Sequence, residues 1–192
     1  MDQQLRREYA GFWKGERCTY QIFTLRNIIE QCTEWRRQLY INFLDFEKAF
    51  DSVHREILWR ILRAYEIPQQ IIDIIKSFYN NFTCRVGNRE TNFEVKTGVR
   101  QGYTMSAMLF NMSIDWVMRR TAEDQSRGIS WTLSLMLGDL DFADDLALVS
   151  HTQQHMQEKT TRLSTCAQQV GLTISQKKTE VILLSVSKPR PV

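Results

Sequence analysis

The chain has 192 residues, 43% hydrophobic and 11% aromatic, with 25 basic against 22 acidic side chains and a net charge of +3. That length suits one domain or one with two lobes, the aromatic content argues against disorder, and three prolines and eight glycines exclude collagenous and low-complexity chains. No apolar run reaches the ~20 residues of a membrane span, and Met1 to Arg7 lack the apolar stretch of a secretory signal, so an intracellular location, nucleus or cytoplasm, is expected.

Residues 1–20 are polar, with Gly11 and Gly15 as breakers. From Gln21 to Arg37, Ile22, Leu25, Ile28, Ile29, Cys32 and Trp35 recur at intervals of three and four, which predicts an amphipathic helix. Leu39 to Leu44 are nearly all apolar and read as a strand buried on both faces. Asp51-Ser52 suit a helix start, and Val53, Ile57, Leu58, Ile61, Leu62 and Tyr65 continue at helical spacing. Pro68 breaks that helix, and Ile71 to Tyr79 make another. Gly87-Asn88 between Thr83–Val86 and Phe93–Val95 signals a hairpin.

Met105, Met108, Leu109, Met112 and Trp116 mark a further helix, whose methionine stripe is expected in the core. Trp131–Leu137 and Leu146–Val149 read as paired strands around an acidic turn. Met156 to Val170 give a last helix and Val181 to Leu184 a last strand. Mixed order with hairpins predicts α+β, with helices on one face of an antiparallel sheet. Cysteines 18, 32, 84 and 166 form no CxxC pair and read as reduced thiols; His151 and His155 read as a solvated pair on one helix face.

The aspartates are placed unusually. Asp45 ends a strand that otherwise belongs in a core, and Asp144 and Asp145 sit at a hairpin tip, with Asp139 and Asp141 just before. Taken singly, each fits a turn or a helix cap. Brought together, such carboxylates cannot all ionise cheaply, and a hard divalent cation removes that cost. Only the fold can join Asp45 to Asp144.

Phe43-Leu44-Asp45-Phe46-Glu47-Lys48-Ala49-Phe50-Asp51 resembles the first palm motif of reverse transcriptases, and Phe142-Ala143-Asp144-Asp145 resembles their aromatic-x-Asp-Asp hairpin. Gly98-Val99-Arg100-Gln101-Gly102, Ser106 and Leu109-Phe110-Asn111 resemble the motif between them. Gly171-Leu172 with Lys177-Lys178-Thr179 resemble the one that follows. The style is that of non-LTR, LINE-type retrotransposons, and the match spans about residues 9–186. Trp13, Tyr20, Tyr103, Ala107 and Ser175 depart from the family's usual residues, Tyr20 standing where Asp is usual, without removing a metal ligand that the resemblance implies.

The resemblance implies a polymerase palm with an antiparallel sheet packed on helices, plus partial fingers. Residues 1–38 and 66–97 would be fingers-like, and 39–65 and 98–192 palm, with the thumb absent, as in a truncated copy. It implies Mg²⁺, or Mn²⁺, held by Asp45, Asp144 and Asp145. Phe46 would contact the incoming dNTP through its backbone, Phe50 would exclude a ribose 2′-hydroxyl, and Gln101 would contact the dNTP or the template. Lys178, with Lys177 as rival, would approach the phosphates and protonate the leaving pyrophosphate. The implied reaction is RNA-directed DNA synthesis on an RNA template from a DNA primer. The alternative is an inactive remnant acting as a nucleic-acid-binding module.

Overall fold

In the computed structural model the described residues are 18–80, 83–85, 92–100, 102–122, 128–130, 136–142 and 145–185. Helix α1 (Cys18–Glu34) starts and ends earlier than its periodicity predicts. Arg36 takes a left-handed φ of 51°, and the Arg37 N–H closes back on the Cys32 carbonyl at 2.8 Å, which stops the helix before Trp35. Ile28 and Cys32 are buried, whereas Ile22 and Trp35, expected on the same apolar face, are exposed.

Strand β1 (Leu39–Leu44) keeps its predicted bounds. The helix expected from Asp51-Ser52 onward is broken in two, α2 (Ala49–Ser52) and α3 (Arg55–Ala64), with buried Val53 between them. The break has a long-range cause. The Val99 N–H binds the Phe50 carbonyl at 2.7 Å, the Gly98 N–H binds that of Val53 at 2.8 Å, and the His54 N–H binds that of Val170 at 2.8 Å. Gly98 and Gly171 make these approaches possible. Both have positive φ, 80° and 90°, and a Cβ on either would overlap the backbone of Asp51 or Ser52.

Helix α4 (Gln69–Ser77) follows Pro68, and β2 (Thr83–Arg85) pairs with β3 (Asn92–Glu94) as the hairpin pattern predicts; the Gly87-Asn88 turn lies outside the described residues. Helix α5 (Thr104–Thr121) buries Met112 and Met118 but leaves Met108 37% exposed, so the methionine stripe is only partly core. Then come β4 (Ile129–Ser130), β5 (Met136–Leu137), β6 (Asp139–Phe142), β7 (Asp145–Ser150), α6 (Gln153–Gln169) and β8 (Glu180–Leu184).

The main sheet has four antiparallel strands in the order β6-β7-β1-β8. This corrects the expected pairing around the acidic turn: β7 pairs with β6, while Met136–Leu137 pair with β4. Helices cover both faces, not one. Ile28 and Cys32 of α1 pack with Leu39, Ile41, Leu140 and Val149, and Leu44, Leu146 and Leu148 face the larger core built with α3, α4, α5 and α6. The mixed α+β class stands.

One polar cluster crosses the larger core. The Tyr65 hydroxyl donates to Asp115, a fully buried carboxylate that also accepts from Arg119 Nε at 2.7 Å. Burial pushes the Tyr65 phenol up, and the hydrogen bond to Asp115 adds to the rise.

Candidate functional site

Two aspartates mark the ends of the central strands. In the β1–β7 register Tyr40 faces Ser150 and Leu44 faces Leu146. Extended by one step, that register would set Asp45 opposite Asp145, the first residue of β7. Residues directly opposed across antiparallel strands have Cα atoms about 4.5–5.5 Å apart. Asp145 is also paired in register with Phe142 across the β6–β7 turn. Asp144 lies outside the described residues. Asp139 and Asp141 are buried within β6 and do not stand at its tip with Asp145.

The other flank of Asp45 is the segment after α6. Its carbonyl accepts the Ser175 N–H at 2.8 Å, the Glu47 N–H reaches the Thr173 carbonyl at 2.9 Å, and Phe46 bridges Ile174. The chain then turns tightly: Lys178 N–H, Thr179 N–H and the Thr179 hydroxyl all donate to the Ser175 carbonyl. That turn carries the Lys178 ammonium to both oxygens of Asp45, at 3.1 Å each. Lys177 makes no such contact among the described residues.

The remaining predicted positions fall around this corner. Phe46 is buried, and the bonds flanking its bridge to Ile174 leave its own N–H and carbonyl directed away from that segment. Phe50 is partly buried and stacks on Phe110, with ring centroids 4.4 Å apart. Lys48, between them, holds a left-handed φ of 46°, an unusual state for a non-glycine residue that sharpens the exit from β1. Gln101 lies outside the described residues.

The donor set at the strand ends suits a hard cation. Carboxylate oxygens are the ligands magnesium prefers, and the Lys178 ammonium sits equidistant from the two oxygens of Asp45, where positive charge is already accommodated. Among the described residues no three His, Cys, Asp or Glu side chains converge on one point; Asp144, the third expected carboxylate, is not among them.

The two histidines do not share a helix face. His151 precedes α6 and its ring Nδ1 lies 2.9 Å from the Gln38 carbonyl oxygen, whereas His155 stands in the first turn and its N–H is capped by Thr152. Cys32 and Cys166 are free and buried, and burial pushes the Cys32 thiol up. Sequence reasoning passed over Arg55. Its guanidinium ties α3 to the carbonyls of Val95, Thr97 and Gly98 at 2.7–3.0 Å. The available signal was its place: a cation at a helix N-terminus opposes the helix dipole and needs another employer.

The profile of the family "Reverse transcriptase (RNA-dependent DNA polymerase)" matches residues 3–191. The retrovirus-related Pol polyprotein from the type-1 retrotransposable element R2 of Nasonia vitripennis is 33% identical over 149 residues, covering 76% of this chain. A corresponding R2 protein of Popillia japonica is 33% identical over 156 residues, covering 78% of this chain. The Transposon TX1 149 kDa protein of Xenopus laevis is 29% identical over 100 residues. The chain spans 14% and 25% of the length of those two R2 relatives. In fold it is similar to the apo telomerase of Candida tropicalis truncated from its C-terminal domain, with a TM-score of 0.67 at 18% identity over 94% of this chain and 37% of that one. No helix among the described residues is long and apolar enough to cross a membrane. The chain belongs to the reverse transcriptase family and is related to the Pol proteins of R2 and TX1 non-LTR retrotransposons.

Proposed function

We propose that the chain is the palm, with part of the fingers, of an RNA-directed DNA polymerase that adds deoxynucleotides to a primer 3′-hydroxyl on an RNA template. The observation that carries this reading is the Lys178 ion pair to Asp45 at the end of β1, the strand whose register with β7 runs up to Leu44 opposite Leu146, one residue short of Asp45 and Asp145. On this reading residues 39–65 and 98–192 form the palm, and 1–38 and 66–97 are fingers-like.

Asp45, Asp144 and Asp145 would hold Mg²⁺ or Mn²⁺. Such ions, when bound, lower the pKa of an attacking hydroxyl and neutralise a leaving pyrophosphate. The rest of the chemistry belongs to the chain's own side chains. Lys178 moves from Asp45 to the β- and γ-phosphates and gives its proton to the departing oxygen. The Phe46 backbone positions the triphosphate, and Gln101 contacts the nucleotide or the template. Phe50, held in its rotamer by Phe110, fills the space a 2′-hydroxyl would need. Phosphoryl transfer asks for this positioning and charge placement more than for covalent catalysis.

The test is extension of a DNA primer on an RNA template with Mg²⁺. Wild-type chain is expected to extend it, and Asp45→Asn or the Asp144→Asn, Asp145→Asn pair to lose at least about 100-fold in rate, the scale of removing a main charge stabiliser. Extension that survives these changes overturns the assignment. Nucleic-acid binding without extension, indifferent to Mg²⁺ and to these aspartates, supports the remnant reading instead.

A further inference from the structure

A second polar concavity lies among α3, α4 and residues 95–97, elements that carry none of Asp45, Asp145 or Lys178. It encloses about 600 Å³. Its floor is the buried pair Trp59 and Tyr79, with ring centroids 5.9 Å apart and planes tilted by 58°. Cations lie over both rings: Lys76 Nζ is 6.0 Å from the Trp59 centroid, and the Arg55 guanidinium is 5.0 Å from that of Tyr79. Lys96 also lines the cavity, and Glu56 is the one carboxylate in the lining.

The three cations have different tasks. Arg55 is spent on structure: its three bonds to the carbonyls of Val95, Thr97 and Gly98 hold the segment bearing Lys96 against α3. Lys76 and Lys96 have no carboxylate partner among the described residues. Two ammonium groups lining one cavity that also exposes aromatic rings, outnumbering its single carboxylate, form a place for a compact anion. An ammonium is a point charge well suited to phosphate oxygens.

We propose that this cavity is a secondary nucleic-acid contact, in which Lys76 and Lys96 hold a phosphodiester of the bound strand away from the catalytic corner. It rests on the reading of the chain as a nucleic-acid enzyme, but on different residues. The cavity carries no sequence information, since backbone phosphates are alike; it adds affinity and fixes the path of the strand.

The experiment measures equilibrium binding of a labelled RNA–DNA hybrid to the full chain across a NaCl series. Each phosphate contact contributes about 0.7–0.9 to the slope of log K against log salt. The Lys76→Gln, Lys96→Gln double variant is expected to lower that slope by about 0.7–0.9 and to weaken binding at low salt, while Lys76→Arg, Lys96→Arg retains both. Thermal unfolding of each variant separates lost contact from lost fold, because a smaller folded fraction changes the amplitude and not the slope. An unchanged slope and affinity in the double Gln variant overturns the proposal. Equal loss in the Arg pair also overturns it. The Asp45→Asn protein is the reference for the enzymatic reading: it loses extension if that reading holds, whatever the slope of the lysine variants.

Discussion

Lys178 and Asp45, far apart in the chain, form a bidentate ion pair, with both carboxylate oxygens 3.1 Å from the ammonium nitrogen. The side chain of Lys178 is 65% exposed and that of Asp45 27%, so the pair is solvated and easily opened. In this state Lys178 stands where a cation would be held. A divalent ion taking Asp45 must displace it, and the released ammonium is then available to the phosphates. Lys178→Ala is therefore expected to raise Mn²⁺ affinity about two- to fivefold, the scale of losing an exposed ion pair, and to slow extension. A Mn²⁺ titration followed by electron paramagnetic resonance reads the first effect without needing turnover. Affinity unchanged or weakened in Lys178→Ala contradicts the competition.

Phe50 lies flat on Phe110, which is fully buried in α5. The stack fixes the ring as part of the core and leaves Phe50 only partly covered. Phe50→Ala is expected to erode discrimination against ribonucleotides by about 10- to 100-fold, the usual worth of shape exclusion. Competing rNTP and dNTP incorporation by an active enzyme measures this ratio. The same change removes the stacking contribution of ~0.5–1.5 kcal/mol, so a fall in Tm accompanies it.

Tyr65 provides the pH prediction. Burial, and then its bond to Asp115, raise the phenol above the ordinary tyrosine value of about 10. The folded state thus keeps its proton where the unfolded chain has released it. The resulting stability is complete below pH ~10 and drains away as pH rises from there towards the folded-state pKa. Denaturant titrations at pH 8 and above 10 should show a decline that Tyr65→Phe flattens. Tyr65→Phe itself is expected to cost about 1.5–3 kcal/mol near neutrality, the range for a hydrogen bond to a charged group. A wild-type stability that does not decline above pH 10 contradicts the shift.

The glycine clamp gives a structural test. Gly98 and Gly171 press on the same short stretch, Asp51 to His54, from opposite sides of the sequence. Alanine at either position meets backbone at sub-van der Waals distance in a left-handed conformation, and a loss of at least ~2 kcal/mol is expected. Gly102, also at positive φ (91°) but with open space around it, should tolerate alanine at about 1 kcal/mol. Chemical denaturation of the three variants ranks them; equal costs at all three would show that the contact with Asp51–His54 does not matter.

What the sequence shows and what it hides follow the range of the forces involved. The bounds of β1, the course of α6 and the position of β8 are legible because a local run of apolar residues determines each. The split between α2 and α3 is not, since it depends on backbone bonds from Phe50, Val53 and His54 to Val99, Gly98 and Val170. Nor is the partner of β7: Asp139 and Asp141 read as turn acids, yet both are buried in β6. At the candidate site the motifs point to Asp45 and Asp145, but the antiparallel register of the β1 and β7 strands that they flank is long-range, and composition carries no trace of it. The sequence leaves Lys177 and Lys178 as equals; the Ser175 turn brings one of them to Asp45.

Among the described residues, strand β8 is the outermost of the four, hydrogen-bonded to β1 on one side only, and Val181, Ile182 and Leu183 are 61%, 48% and 49% exposed. A greasy rim with vacant amide groups is a template for recruiting further strands. For the isolated polypeptide this means colloidal trouble: turbidity and growing particle size as stocks are concentrated, relieved by a single rim charge such as Ile182→Lys.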